Sequence, residues 1–277
     1  MIIDFRLRPP FEGLVGTQMY DPETIKWINR VMGTGAPDGP LSAVSGSMPM
    51  AIAEMDAAGI GIGVVQGRHR PGTYIPNAAL RRLTESYPGR FVAMASVNVL
   101  DPIEAAQQIE TAVGGYGFPG ISLDLGALGL AVDDPRAYAV YKMCAAAGAF
   151  VGITLSMLGS QELELVSPAA LDRAARDFPD VQFISAHGSF PYVLEAIGVA
   201  MKRGNVWLAP DMYMTHAAGG ELYVQAANGY LQDRMLFGTS YPYTPMQETV
   251  SRFLQLPLGV QVQEKLLHRN AQRLLRI

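Results

Sequence analysis

The chain lacks the marks of several protein classes. Its 277 residues include one cysteine, Cys144, so no disulfide forms within it, which fits a reducing cytoplasm. Charged side chains are scarce, at 17%, and their balance is only −4, so neither nucleic acid nor an anionic membrane surface is expected as partner. No apolar run approaches the roughly 20 residues a membrane helix needs. The N-terminus enters a strand without a basic region before it, so no signal peptide is expected. No Gly-x-Gly-x-x-Gly follows the first strand, no phosphate loop occurs, and no Gly-x-Ser-x-Gly elbow surrounds a serine. What remains is apolar: hydrophobic residues make up 49%, enough for a large buried core and against disorder.

Short apolar runs alternate with helical patterns. Strands are predicted at Met1–Arg6, Ile60–Gln66, Phe91–Val97, Gly120–Leu125, Phe150–Leu155, Gln182–Ala186, Val206–Ala209 and Met235–Gly238. Most are apolar at successive positions, as parallel strands buried on both faces are. Helices are predicted between them, at Met48–Ala58, Ile75–Tyr87, Pro102–Val113, Pro135–Ala147, Pro168–Asp177, Pro191–Lys202 and Glu221–Tyr230. Asp101-Pro102, Asp134-Pro135 and Ser167-Pro168 are N-cap and first-turn pairs. The chain closes with Pro245–Leu256, Gln261–Leu267 and Ala271–Leu275. Eight strands, each followed by a helix, specify a single α/β domain over residues 1–277, a closed (β/α)8 TIM barrel, an architecture of about 250 residues. A doubly wound open sheet is the competing architecture. The irregular stretch 9–47, rich in Gly, Pro and Ser and holding a short helix at Pro22–Val31, leaves the C-terminal end of strand one. Barrel sites form at that end, so it reads as a lid or binding loop.

Four segments carry a resemblance. They are Ile3-Asp4-Phe5-Arg6-Leu7-Arg8-Pro9, Ser185-Ala186-His187-Gly188-Ser189-Phe190-Pro191, Leu236-Phe237-Gly238-Thr239-Ser240-Tyr241-Pro242 and the tail Asn270-Ala271-Gln272-Arg273-Leu274-Leu275. In this order they resemble the amidohydrolase-related family of the amidohydrolase superfamily. The resemblance implies hydrolases, lactonases, hydratases and decarboxylases acting on small carboxylated substrates. Most members hold one divalent metal through two strand-one histidines, a strand-five or strand-six histidine and a strand-eight aspartate. Here Arg6 and Arg8 stand in the first two places, Thr154 in the strand-five place and Ser240 in the aspartate's; His187 alone matches. A guanidinium has no lone pair to give and repels a cation, so neither a metal in that position nor any other cofactor is expected. The family includes a metal-free lactonase branch, which keeps the aspartate.

Polar residues at strand C-termini make up the candidate site: Arg6, Arg8, Gln66, Arg68, His69, Asn98, Asp124, Thr154, Ser156, His187, Asp211, Ser240 and Tyr241. Arg6 and Arg8, two residues apart, share one side of a strand and suit a carboxylate, or else pair with Asp4, Asp124 or Asp211 for stability. His187 is the candidate for proton transfer, against a reading as a relic that bonds a strand end. Asp211 is a second carboxylate base or a counter-ion to the arginines. Asp124 reads foremost as a partner for Arg6. Ser240 and Tyr241 are placed to donate to substrate. Arg68 and His69 lie in a charged loop, solvated or steering substrate. His216 reads as the start of a helix, and His187, Asp211, His216 and Asp124 are the alternative, non-family metal set. Cys144 and His268 read as structural.

The leading expectation is a metal-independent, lactonase-like hydrolase of a small cyclic or aromatic carboxylate. Arg6, Arg8, Arg68, Asp124, Thr154, Ser240 and Tyr241 bind substrate, and His187 and Asp211 carry the chemistry. Decarboxylation by the same family is the alternative, disfavoured because clustered arginines stabilise a carboxylate ground state. A barrel that binds a small anion without turnover is the rival from another class. A homodimer is compatible with the sequence.

Overall fold

The computed structural model describes residues 1–277. Strand β1 (Ile2–Asp4) is followed by helices α1 (Pro22–Met32), α2 (Leu41–Ser45) and α3 (Met48–Ala57). Strand β2 (Ile60–Gln66) leads to a hairpin of β3 (His69–Arg70) and β4 (Thr73–Tyr74), then α4 (Asn77–Ser86) and β5 (Phe91–Ser96). Next come α5 (Pro102–Ile109), β6 (Gly120–Leu123), α6 (Pro135–Ala147) and β7 (Phe150–Ser156). They are followed by α7 (Pro168–Asp177), β8 (Phe183–Phe190), α8 (Val193–Lys202) and β9 (Val206–Ala209). Helices α9 (Met212–His216), α10 (Gly220–Ala227), α11 (Met246–Leu254), α12 (Val260–Glu264) and α13 (Asn270–Leu275) close the chain. All strands except the β3–β4 hairpin are parallel, seven in number.

Helix starts follow the capping residues. Asp101 accepts from Ile103 N–H (2.9 Å) and Glu104 N–H (3.1 Å), and Asp134 accepts from Arg136 N–H (2.9 Å), each ahead of a first-turn proline. Ser167, by contrast, makes no side-chain cap for α7. The helix predicted to reach Val113 is α-helical only to Ile109 and continues as a π-helical segment, Glu110–Gly115. A second such segment, Lys265–Arg269, joins α12 to α13.

The chain divides into two compact units. The first comprises Met1–Val65, Arg82–Val92 and Asp211–Ile277. In it β1 pairs with β2 (Ile3↔Ile62, Asp4↔Gly63) around a core that includes Ile3, Phe5, Leu7, Val64, Phe237 and Phe253, the last two in edge contact at 4.9 Å. The first predicted strand is shorter than expected because Asp4 turns back on its own chain, its carboxylate accepting from Arg6 N–H at 2.9 Å. The eighth predicted strand, Met235–Gly238, is not regular. Its segment is tied to residues 5–8 by Phe5 N–H to Phe237 O (2.9 Å), Arg8 N–H to Tyr241 O (3.1 Å) and a lone bridge between Leu7 and Tyr241.

The second unit comprises Gln66–Arg81 and Ala93–Pro210. Here β6, β7, β8 and β9 form successive parallel pairs with registers Ile121↔Val151, Gly152↔Ile184 and Ser185↔Leu208. Strand β7 is buried at every position, as a continuous apolar run between two covered faces requires. Tyr141 packs edge-on against Phe183 (5.0 Å) and Phe178 (5.6 Å), locking α6 to the sheet.

Candidate functional site

The first unit's polar cluster forms where β1 ends. Asp4 binds the neighbouring segment as well as its own turn, accepting from Thr239 N–H (2.9 Å) and Thr239 Oγ1 (2.5 Å). Burial, opposed by these hydrogen bonds, pushes its carboxyl up from 3.8 to about 6. Arg6 is 2% exposed, and its Nε stands 3.5 Å from Asp211 Oδ2. Desolvation pulls the Arg6 value down, and the facing Asp211 charge pushes back most strongly, ahead of Tyr243, Asp4 and Tyr213. The Arg6 stem lies against Gly238: a Cβ there would fall 2.9 Å from Arg6 Cβ, so only glycine lets the chain pass.

Arg8 is 1% exposed. Its carbonyl accepts from the Tyr20 hydroxyl (2.7 Å), and its charge reaches the Tyr20 phenol. The Tyr241 hydroxyl meets Ser42 Oγ at 2.7 Å. Ser240 Oγ, in the family aspartate's place, is buried and makes no hydrogen bond.

The second unit's cluster sits at the ends of β2, β6 and β7. Arg68 is ion-paired with Asp124, and its Nη1 donates to Thr154 Oγ1 at 2.8 Å. Asp124 therefore partners Arg68 and not Arg6, a correction of the sequence reading, because Arg6 is engaged by Asp211. Arg68 is likewise buried and not part of a solvated loop. His187 is buried within the C-terminal half of β8, and Ser185 Oγ contacts Ser189 Oγ at 2.9 Å on the same strand. His216 ends the short helix α9 where a helix start was expected. Its Nδ1 meets Thr215 Oγ1 at 2.7 Å.

Three of the sequence-predicted residues sit in left-handed backbone: His187 (φ 67°), Asp211 (φ 46°) and Ser240 (φ 66°). Non-glycine residues hold such angles at a cost of about 1–3 kcal/mol each, and positions of this kind concentrate at functional sites. Tyr20, Ser42 and Glu54 join the first cluster without any sequence signal. They come from the irregular loop and from α3, where no periodicity singles out a polar contact.

No group of three or more His, Cys, Asp or Glu stands together to hold a metal ion. The set His187, Asp211, His216 and Asp124 does not form such a group, and Arg6 and Arg8 stand in the two places that the resemblance gives to ligand histidines. The residues present do not fit a divalent ion.

A family model described as Amidohydrolase matches residues 36–277. The chain belongs to the amidohydrolase family. The TIM-barrel protein Bb4693 from Bordetella bronchiseptica is 36% identical, over 99% of this chain and 98% of that one, with a TM-score of 0.94. The fold of this amidohydrolase is thus the TIM barrel. The 5-carboxyvanillate decarboxylase LigW from Sphingomonas paucimobilis is similar at 18% identity over 100% and 99% of the two chains, TM-score 0.70. A dihydroxybenzoic acid decarboxylase from Polaromonas sp. JS666, with bound manganese and 2-nitroresorcinol, is similar at 16% identity over 83% and 86%, TM-score 0.66. No curated protein matches the chain. No helix is long and apolar enough to cross a membrane.

Proposed function

We propose that this amidohydrolase is a metal-independent lyase that decarboxylates a small, hydroxyl-bearing aromatic carboxylate. One observation carries the reading: Arg6 and Arg8 are both fully buried and Arg6 is held by Asp211, in the two places that the family resemblance gives to metal-binding histidines. Fixed cationic charge takes over the electrostatic work of the ion. The names of similar proteins, which act on carboxyvanillate and dihydroxybenzoate, support the lyase over the hydrolase. Hydrolysis of a cyclic ester, favoured from the sequence, has no specific observation behind it.

The ground-state objection to arginines is answered by the substrate class. As the ring hydroxyl gives up its proton and the carboxylate-bearing carbon gains one, the ring becomes a cyclohexadienone; breaking the carbon–carboxylate bond then releases carbon dioxide and returns the electron pair through the ring to that oxygen, leaving an aromatic phenolate. A guanidinium on that oxygen binds the transition state more tightly than the substrate. Arg8 then anchors the acid, Arg6 supports the oxygen, Asp211 fixes Arg6, and Ser240 donates to substrate.

The test is carbon dioxide release from a panel of phenolic carboxylates, beside a panel of lactones, using chelator-treated protein. The reading stands if a phenolic acid loses carbon dioxide without added metal and Arg8→Met abolishes it. Opening of lactones alone, turnover that requires added manganese, or anion binding without turnover each rejects it.

A further inference from the structure

In the first unit the chain is pinned on both sides of Ser240, while the Ser240 side chain itself is not. Before it, Thr239 N–H donates to Asp4 Oδ1 at 2.9 Å and Thr239 Oγ1 donates to Asp4 Oδ2 at 2.5 Å. The same Oδ1 accepts from Arg6 N–H at 2.9 Å, so one carboxylate fixes the backbone of Arg6 and of the residue preceding Ser240. The Thr239 carbonyl accepts from Thr244 Oγ1, which stands 3.2 Å from Thr249 Oγ1 on α11. After Ser240, Tyr241 N–H donates back to Thr239 Oγ1 at 3.1 Å, and the Ser240 carbonyl accepts from Tyr243 N–H at 3.0 Å. Asp4, Thr239, Ser240, Thr244 and Thr249 are all buried. Within this frame Ser240 is held at φ 66°, and its buried Oγ has no hydrogen-bond partner. A left-handed backbone and an unsatisfied buried hydroxyl both oppose folding, so stability explains neither.

We propose that Thr239, braced by Asp4 and Thr244, is a positioning residue that holds Ser240 Oγ for an acceptor oxygen of the substrate. This rests on the reading of Ser240 as a donor to the phenolic carboxylate. Thr239 Oγ1 donates to Asp4 and accepts from Tyr241 N–H, so one hydroxyl ties the peptide that follows Ser240 to the carboxylate that anchors the peptide before it. Without that hydroxyl the Ser240 backbone is free to leave the left-handed region. Valine can neither donate nor accept there, whereas serine can do both. A frame that served stability alone would be better filled by glycine at 240, which holds φ 66° without strain. A buried hydroxyl with its hydrogen uncommitted suits a carboxylate or phenolate oxygen, since a hydrogen bond to a charged acceptor is stronger than one to a neutral group.

A double-mutant cycle between Thr239→Val and Ser240→Gly tests this, read as the dissociation constant of 2-hydroxybenzoate by calorimetry and as the melting temperature. Ser240→Gly weakens binding about tenfold to hundredfold, the loss of a hydrogen bond to a charged group. Its melting temperature holds or rises, because the backbone strain is relieved. Thr239→Val weakens binding to a similar extent on its own, and by less than about twofold in the Ser240→Gly background. Thr239→Ser, which keeps the hydroxyl, binds as the wild type does. If Thr239→Val does not fold, Thr244→Val removes the other brace and takes its place in the cycle with the same expectation. Unchanged affinity in Ser240→Gly, equal losses from Thr239→Val in both backgrounds, or no binding of 2-hydroxybenzoate by the wild type overturns the proposal. Any of these beside carbon dioxide release that Arg8→Met abolishes leaves the lyase in place. Coupling between the two positions without carbon dioxide release from any phenolic acid rejects the lyase reading alone.

Discussion

At the scale of single residues, the cluster is governed by the cost of burying charge. Asp4 has the clearest consequence. Its value in the folded chain, about 6, lies above the ordinary 3.8, so it favours folding fully below pH 3.8 and that contribution is lost as pH rises through 6. Two pK units correspond to about 3 kcal/mol. Asp4→Asn keeps an oxygen for the Arg6 and Thr239 N–H groups and removes the ionisation. The variant should therefore gain stability relative to wild type between pH 4 and 7, by up to about 3 kcal/mol. Urea unfolding of both proteins across that range checks it, and a constant difference refutes it. The Arg6–Asp211 pair behaves differently. Replacing Asp211 by Ala strips a buried guanidinium of its facing charge, which costs about 3–5 kcal/mol, whereas Arg6→Met with Asp211→Ala removes both charges and costs less. Equal melting temperatures for the single and double variants would contradict this. The candidate residues were legible as polar groups at strand ends, but their partners were not. Asp124 and Asp211 are each one aspartate after one strand, and only the fold decides that the first meets Arg68 and the second Arg6.

At the scale of elements, apolar runs and Asp-Pro starts located most strands and helices, because burial on both faces and N-capping are local, patterned demands. The eighth strand failed this test. Met235–Gly238 is apolar enough, yet Phe237 N–H donates to Leu266 O (3.1 Å) instead of completing a ladder, and Asp4 captures Thr239 N–H. The long loop after β1 was visible as a loop, but not its attachment. Glu248, on α11, accepts from Gly35 N–H at 3.0 Å and from Arg252 Nε at 2.9 Å, and Arg252 Nη2 donates to Gly33 O at 3.4 Å. These contacts clasp the turn after α1 to a helix more than two hundred residues away. Being exposed, they contribute on the order of 1 kcal/mol or less. Glu248→Ala should leave the melting temperature almost unchanged yet speed amide hydrogen exchange locally at residues 33–39, since loops open at low free-energy cost. Exchange unchanged there would show that the loop is held by other means.

At the scale of the whole molecule, the chain keeps its family's barrel, and the proposed reading replaces a bound cation at its centre by side chains that are always charged. That substitution has a global thermodynamic signature. A metal that binds only the folded state stabilises it by about 2.7 kcal/mol at a hundredfold excess over its dissociation constant. For a protein of this size each kcal/mol moves the melting temperature by roughly 2–4 °C, so a resident or acquired ion would shift it by about 5–10 °C. On the proposed reading guanidiniums stand in the ligand positions, and no group of three or more His, Cys, Asp or Glu stands together to hold manganese or zinc instead. The melting temperature should therefore move by less than about 1 °C on chelation or on millimolar manganese or zinc, a range far below the linkage shift. Elemental analysis of the purified protein should find either metal well below one per chain. A chelator-induced drop of several degrees, restored by one metal and not the other, would mean that a cation occupies the barrel after all and that the arginines serve it from outside its coordination sphere.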